Sequence, residues 1–573
     1  MQSPFLRAAA ALLLAMALAC RGGASLEAPR SAGPSPAPPL DSFTAIRLEH
    51  AADRDAWQLA FTLPHPTSKV RFVRSNYPNR IAHWRVTTPG LRLSREHEED
   101  VIQSDDGRSF AGFAMDIASY AIHPEKDYQV FVPYGDGSTL VYTGQFDIGV
   151  PGENASAVKT TFTFVPRKSE RVVVKGEVSS GPRTWMSRGD GTYVYFGSTK
   201  PVIGNGFVAL VDAAMPTWLR GSMETLLPQV FALYATRLGL PLSFRPTVFM
   251  SYGEEPAPKD FSVDGGTLPE VIQMEVRLGT DHRILVDEHV RGEVGRLVAH
   301  EVAHLWNGQM FHHTTRGGDW MHEGGADAFA YEALGTLGAM SRDHLRAEEG
   351  DAFSRCLVGT RLGPLHGASM PGRFKLYYWC GHLVAHLTKD IFAFWGTLLR
   401  AAPAATYDEE QYLRLLGASP GGAMAETAVR GLLAGAGPDP VPALLAADRS
   451  LVPTPKTKAF SMEYEQFSGL VAATLVLRSA CGRDVTPRSG PGGLRVDGTC
   501  GELGKDPILA ELADRDLRRA GAAAYDAAVA TCAERPTVTA GIRRDTDAQS
   551  PIVRLELACP RPFPARPPHV TPR

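Results

Sequence analysis

The sequence has no excess of charge of either sign, no closely spaced cysteine pair, no internal repeat and no second long apolar run. Each absence removes a class of protein. Lysine and arginine total 59 against 62 aspartate and glutamate, so no basic stripe is available for a phosphate backbone and no nucleic-acid partner is expected. None of the 7 cysteines stands in a CxxC spacing, which argues against a cysteine-ligated zinc site. No fixed period points to a solenoid or propeller. Beyond the N-terminal segment no run of about 18 apolar residues recurs, which removes a multi-span membrane protein. What remains is a 573-residue chain, 44% hydrophobic with 56 glycines and 43 prolines, globular in composition and long enough for about three or four folding units.

Residues 1–20, MQSPFLRAAAALLLAMALAC, place Arg7 before an apolar run from Ala8 to Leu18 and small residues before Cys20, the pattern of an export signal. Their end resembles the bacterial lipoprotein box, which implies a lipidated Cys20, a membrane anchor and a periplasmic or cell-surface location. Ala17 stands where that box usually has leucine, and an ordinary signal peptide ahead of an incidental cysteine is the alternative. Residues 21–40 are rich in Gly, Ser and Pro and read as a flexible tether. Setting Cys20 aside leaves Cys356, Cys380, Cys481, Cys500, Cys532 and Cys559, an even number suited to an oxidising compartment. Six cysteines permit fifteen pairings; proximity favours 356–380, 481–500 and 532–559, with free buried thiols as the alternative.

Residues 41–204 alternate in short strand-like runs, among them TAIRLEH, WQLAFTLP, TTFTFVP and RVVVKGEV, with hairpin-type turns expected at GDG (135–137) and GDGT (189–192). This predicts an N-terminal antiparallel β-sandwich. From 205 to 450 the spacing becomes largely helical, interrupted by the strand-like PTVFMSYG and EVIQMEVRL, and LLAADRSLVPTPKTK reads as a linker. Residues 451–573 form a small mixed C-terminal domain, with LVAATLVLRSA and PIVRLELACP read as strands and DPILAELADRDLRRAGAAAYDAAVATC as one Ala-rich helix.

The chemistry concentrates in RLVAHEVAHLWNG, where His300 and His304 occupy positions i and i+4 of an amphipathic helix and present both imidazoles to one ion. Glu301 lies on the neighbouring edge of that face, placed to accept a proton from a water activated there. A hydrolytic zinc site needs three protein ligands and an open position, so a further ligand is expected downstream. A third ligand from His312 or His313 would resemble the metzincin arrangement, which has glycine three and histidine six residues after the second motif histidine; here Gly308 lies four residues after His304 and Met310 occupies the sixth place, so that resemblance fails. Glu323, in DWMHEGGADAFAYEAL, opens another helical stretch, and Asp327 shares its face as a hydrogen-bond partner for a ligand imidazole. His382 and His386 repeat the i, i+4 spacing without a following glutamate and read as helix-face histidines.

HEVAH, followed after eighteen residues by the glutamate of WMHEGGADAF, resembles the gluzincin peptidases, in particular the alanyl-aminopeptidase and leukotriene-hydrolase family with its WLNEG-type second motif. The HLWN continuation is similar to the glycyl-aminopeptidase family, and the spacing of Glu323 and Asp327 to the thermolysin branch. The resemblance covers roughly residues 205–450 and, loosely, the β-rich part before it. It implies one Zn²⁺ held by His300, His304 and Glu323, a thermolysin-like catalytic domain of mixed α/β then α-helical structure, and a peptide or protein substrate. It also implies an oxyanion-stabilising tyrosine in a Tyr-x-x-Gly context, which Tyr378 and Gly381 provide. The family's amine-binding Gly-x-Met-Glu-Asn strand is absent. Residues 265–269, GGTLP, keep its glycines, and Gln273-Met274-Glu275-Val276 keeps Met-Glu, so Glu275 is the candidate amine anchor. The expectation is a multidomain α+β zinc metallopeptidase, an aminopeptidase first, with an endopeptidase or a non-catalytic cell-surface binding lipoprotein as alternatives.

Overall fold

Alternation of apolar and charged residues builds the first sheet. Ile46 and Leu48 point inward from Thr44–His50 while Arg47 faces water. In the computed structural model this strand lies in a six-stranded sheet ordered Arg183–Ser187, Thr160–Val165, Thr44–His50, Ala56–Thr67, Phe110–Ala118 and Trp84–Val86. The structure describes residues 43–573 apart from 53–55, 75–78, 123–126, 151–158, 188, 190, 285, 370–372, 436–438, 455–461, 491, 546 and 548. Cys20 and the 21–40 tether lie outside the described residues. Four-stranded and five-stranded sheets complete this region over a core that includes Trp57, Phe61, Phe131 and Phe196.

Two expectations need correction here. The sandwich is not purely antiparallel, because Thr44–His50 and Thr160–Val165 pair in parallel, Thr44 opposite Thr160. A parallel pair needs a long crossover, and the intervening chain supplies one by building much of the other two sheets. GDG at 135–137 does close a hairpin, with Tyr134 N donating to Ser138 O at 2.8 Å. GDGT does not: Arg183–Ser187 pairs with Thr160–Val165, whereas Tyr193–Gly197 pairs in the five-stranded sheet, so the glycines carry the chain between sheets.

The five-stranded sheet packs Tyr134, Leu140 and Tyr195 against Val208, Leu210, Phe249 and Leu268 of a second, mixed sheet. The order there is Val202–Gly204, Phe207–Val211, Thr247–Glu254, Val271–Leu278 and Phe261–Leu268. The two central pairings are parallel and the two outer ones antiparallel. Phe261–Leu268, the edge strand, escapes the sequence reading because Ser262, Asp264, Gly265 and Gly266 dilute its apolar alternation, and pairing with Val271–Leu278 overrides that composition. The helix Thr217–Leu238 connects the first two parallel strands. Its Tyr234 hydroxyl donates to Ala299 O at 3.0 Å, fastening it to the helix that carries the HEVAH motif.

That motif helix, Glu288–His304, is followed by the carboxylate helix Asp319–Thr336, then Arg342–Gly359, the tyrosine helix Lys375–His386, and four more helices to Ala447. The C-terminal part sets the helices Met462–Cys481 and Gly521–Glu534 against a sheet that includes Ile508–Leu512, Thr537–Arg543 and Val553–Ala558. LVAATLVLRSA therefore belongs to a helix rather than a strand. Its Val471, Ala472, Ala473, Val476 and Leu477 are buried around the helix, so no one-sided periodicity marks it. Conversely ILAEL, read as the start of the Ala-rich helix, is a central strand, since pairing on both sides outweighs the helix propensity of its Leu and Ala. The expected linker contains the strand Leu451–Pro453, which pairs with Val570–Pro572 and returns the C-terminus to the helical part. Cys356–Cys380, Cys481–Cys500 and Cys532–Cys559 are the disulfides. Among the described residues no helix is long and apolar enough to cross a membrane.

Candidate metal centre

The motif helix starts where Asp287 caps it, its carboxylate accepting from the backbone N–H groups of His289 and Val290 at 2.9 and 3.1 Å. Val290, Val294, Val298 and Val302 sink one face into the core, and this carries His300, Glu301 and His304 to buried positions at the far end. Leu305–Met310 continues as a wider π-helical turn. The change of pitch brings Asn307 back beneath the second histidine.

His300 Nδ1 lies 2.8 Å from Asp327 Oδ1, and His304 Nδ1 lies 3.1 Å from Asn307 Oδ1. The Asn307 amide is oriented by its own nitrogen, which donates to His322 O at 2.8 Å, so oxygen is the atom left facing His304. Both rings thus donate through Nδ1 and turn Nε2 inward. The two Nε2 atoms stand 3.0 Å apart, with Glu323 Oε2 at 3.3 Å from one and 3.5 Å from the other. Donors about 2.0–2.2 Å from a tetrahedral zinc are separated by roughly 3.3–3.6 Å, so this triangle fits the ion with minor adjustment. Two imidazole nitrogens and a carboxylate oxygen are also the donor types zinc takes. A Glu301 carboxylate oxygen and one ring nitrogen each of His300 and His304 lie within 4.8 Å of one another, and Glu301 Oε2 is 3.4 Å from Thr267 Oγ1 of the edge strand.

Electrostatics match the geometry. Burial alone would depress His300, but the carboxylates of Asp327 and Glu323 outweigh it and raise this imidazole to about 10 in the metal-free protein. Glu323 moves well below the usual carboxylate range, its burial overcome by both histidines. Asp327 is held down in the same way by His300 and by Arg296, whose Nη1 is 3.1 Å from Asp327 Oδ1.

Tyr378 stacks its ring on His300, centroids 5.6 Å apart, and burial together with the Glu323 charge pushes its phenol up, so it stays a proton donor. Its place is set by a backbone contact. A Cβ on Gly381 would sit 1.9 Å from Trp320 O, and one on Gly324 would sit 2.2 Å from Gly381 Cα. The carboxylate and tyrosine helices therefore touch at two glycines, and Tyr378, one turn before Gly381, lands beside Glu323. The Cys356–Cys380 disulfide ties the other side of the tyrosine helix to Arg342–Gly359. Tyr377 is fully buried in the core.

Glu275 is not among the converging groups. Its Oε1 accepts from Arg277 Nε at 2.8 Å, and it lines a 170 Å³ cavity with Asp127, Tyr128, Tyr193 and Asp264 between the five-stranded sheet and the edge strand. The Glu301 charge adds, as the smallest of several causes, to the upward shift of Tyr128 in that cavity. His312 and His313 form a short strand against Thr406 and Tyr407, and His382 is buried against Tyr331.

Three contributors had no role assigned from sequence. Asn307 sits three residues after His304 in HLWN, and that spacing was its one available signal. Arg296 braces Asp327. His322 stacks on His304 at 4.0 Å between centroids; burial and the neighbouring His304 lower it to about 3, so it stays neutral beside the site.

No protein-family model matches the chain, and no curated protein matches it. Among solved structures, the chain is similar to an aminopeptidase N family protein from Idiomarina loihiensis, with a TM-score of 0.52 and 13% identity over 90% of this chain and 96% of that one. At that identity the likeness is one of fold: a multidomain mixed α/β architecture shared over nearly the whole length.

Proposed function

We propose that this chain is a zinc-dependent peptidase, with His300, His304 and Glu323 as metal ligands. The observation that carries the reading is the inward convergence of two Nε2 atoms and one carboxylate oxygen, each imidazole fixed in that orientation through Nδ1. Held by these three side chains, zinc would supply Lewis acidity toward a water and a scissile carbonyl. Glu301 accepts a proton from the attacking water and passes it to the leaving amine, a shuttle suited to a carboxylate at the edge of the triangle. Tyr378 donates its hydroxyl hydrogen to the oxyanion that develops on the scissile carbonyl, and Asp327, Asn307 and Arg296 keep the imidazoles in register.

The substrate class is a peptide, and aminopeptidase action is the first reading, supported by fold similarity to an aminopeptidase N family protein. An endopeptidase is favoured by one specific observation: in GGTLP the edge strand carries Leu268, packed in the core, and no acid, while Glu275 is already engaged by Arg277. Export and a lipid anchor at Cys20 belong to the same proposal, supported by three disulfides, which suit an oxidising compartment. A domain division at about residues 204 and 450 is supported by a hydrophobic core centred in each of the three parts, while a fourth cluster, with Tyr134 and Tyr195 against Val208 and Phe249, joins the first two.

The test is peptide hydrolysis and zinc content of wild type and Glu301→Gln, with free and N-acetylated forms of the same peptides. Retained zinc with lost hydrolysis in the variant supports the mechanism. A zinc-free wild type, inert on peptide panels, would leave the non-catalytic binding lipoprotein as the reading. Equal cleavage of acetylated and free peptides removes the aminopeptidase assignment.

A further inference from the structure

The motif helix carries a second set of metal-ligating side chains at its opposite end. His289 and Glu293 lie four residues apart on one face, and His344, in the first turn of Arg342–Gly359, meets them from across the interface. One nitrogen from each histidine and one Glu293 oxygen all lie within 4.8 Å of one another. We propose that His289, Glu293 and His344 form a second site for a zinc-class divalent ion, which clamps the start of the motif helix to the helix that follows the carboxylate helix.

Several observations support a built site. The two imidazoles face each other with centroids 6.0 Å apart and planes inclined by 30°, and the Phe261 ring stands edge-on to His289 at 5.5 Å, restricting its rotation. His344 Nε2 is buried without a hydrogen-bond partner, a state that costs free energy unless something fills it. Glu348 Oε1 lies 3.8 Å from it, beyond hydrogen bonding but within reach of a fourth ligand position after a small rotation. Two imidazoles with carboxylates select zinc, copper, nickel or cobalt over magnesium and calcium, which want oxygen alone.

The site is separate from the catalytic centre. At 1.5 Å per residue, about 16 Å of helix axis separates His289 from His300, far beyond the spacing of a cocatalytic metal pair. The two are still joined through side chains. Glu293 Oε2 is 3.3 Å from Arg296 Nε, Arg296 Nη1 is 3.1 Å from Asp327 Oδ1, and Asp327 holds His300. The clamp is a structural device, and its half-exposed ligands give it the weaker affinity of the two.

Equilibrium dialysis of the tag-free protein against micromolar free zinc tests this, with bound metal counted per chain. Wild type is expected to hold two zinc ions, His344→Ala one, and His344→Ala combined with Glu323→Ala none. His344→Ala should hydrolyse peptides as wild type does. Zinc should raise the Tm of Glu323→Ala but not of the double variant, and magnesium should raise neither. His344→Ala and His289→Ala each binding as much zinc as wild type would overturn the proposal, as would protection by magnesium equal to that by zinc. Loss of one ion in His344→Ala but none in Glu323→Ala would uphold this site and count against the catalytic one.

Discussion

At one end of the motif helix His300 and His304 are buried, each held through Nδ1 by an oxygen of another side chain, with a third donor delivered from a neighbouring helix. At the other end His289 and Glu293 keep the same four-residue spacing, yet His289 is exposed, and what meets them is one histidine on a half-exposed surface. The spacing provides a face at both ends. Burial and the groups behind the ligands separate a preorganised centre from a looser clamp, because an imidazole whose second nitrogen is fixed loses little freedom on binding metal.

Substitutions sharpen this contrast in graded steps. Glu301→Gln should reduce kcat by about 10³-fold with zinc content unchanged, read from initial rates and metal analysis; loss of zinc as well would make Glu301 a ligand. Tyr378→Phe should cost about 10²-fold in kcat with KM nearly constant, and an equal rise in KM instead would assign the hydroxyl to substrate binding. Asp327→Asn should weaken zinc binding by about 10–100-fold in competition with a chelator, whereas an unchanged affinity would show that Nδ1 needs no carboxylate.

The pH response follows from His300, raised to about 10 in the metal-free protein. Its proton stabilises the metal-free fold fully below the ordinary histidine range, and that contribution fades as pH rises toward 10. Metal has to displace the proton, so zinc affinity should climb about tenfold per pH unit between about 7 and 9, with one proton released in calorimetry. A flat profile would mean that His300 is already neutral. The smallest effect is expected at the other end of the helix, where His289→Ala should leave peptide turnover unchanged; a large loss would couple the clamp to catalysis through Arg296.

Legibility from the sequence was uneven, for local reasons. HEVAH and WMHEGGADAF could be read because their side chains lie along helices whose period is set within four residues, whereas Tyr378-x-x-Gly381 was marked only by the family resemblance. Asn307 was visible as a letter in HLWN, but its role depends on a π-helical turn and on a carbonyl of His322, neither carried by local pattern. The edge strand was missed because its glycines and aspartate do not alternate cleanly, and LVAATLVLRSA was misread because a helix buried around its circumference shows no period.

By itself the sequence marked the candidate metal-binding residues. Two histidines one helical turn apart, a glutamate between them and a carboxylate on a second helix already specify a zinc-type donor set, and short separations already favoured the three disulfide pairings. Only the tertiary structure decided which nitrogen of each histidine faces inward, how Gly324 and Gly381 bring Tyr378 to Glu323, where Glu275 is held, and that His344 meets His289 and Glu293. Apart from the reach of Asn307 to His304 and the bond from Arg277 to Glu275, those outcomes come from contacts between elements distant in the chain. Their geometry is set by close packing, which no window of neighbouring residues encodes.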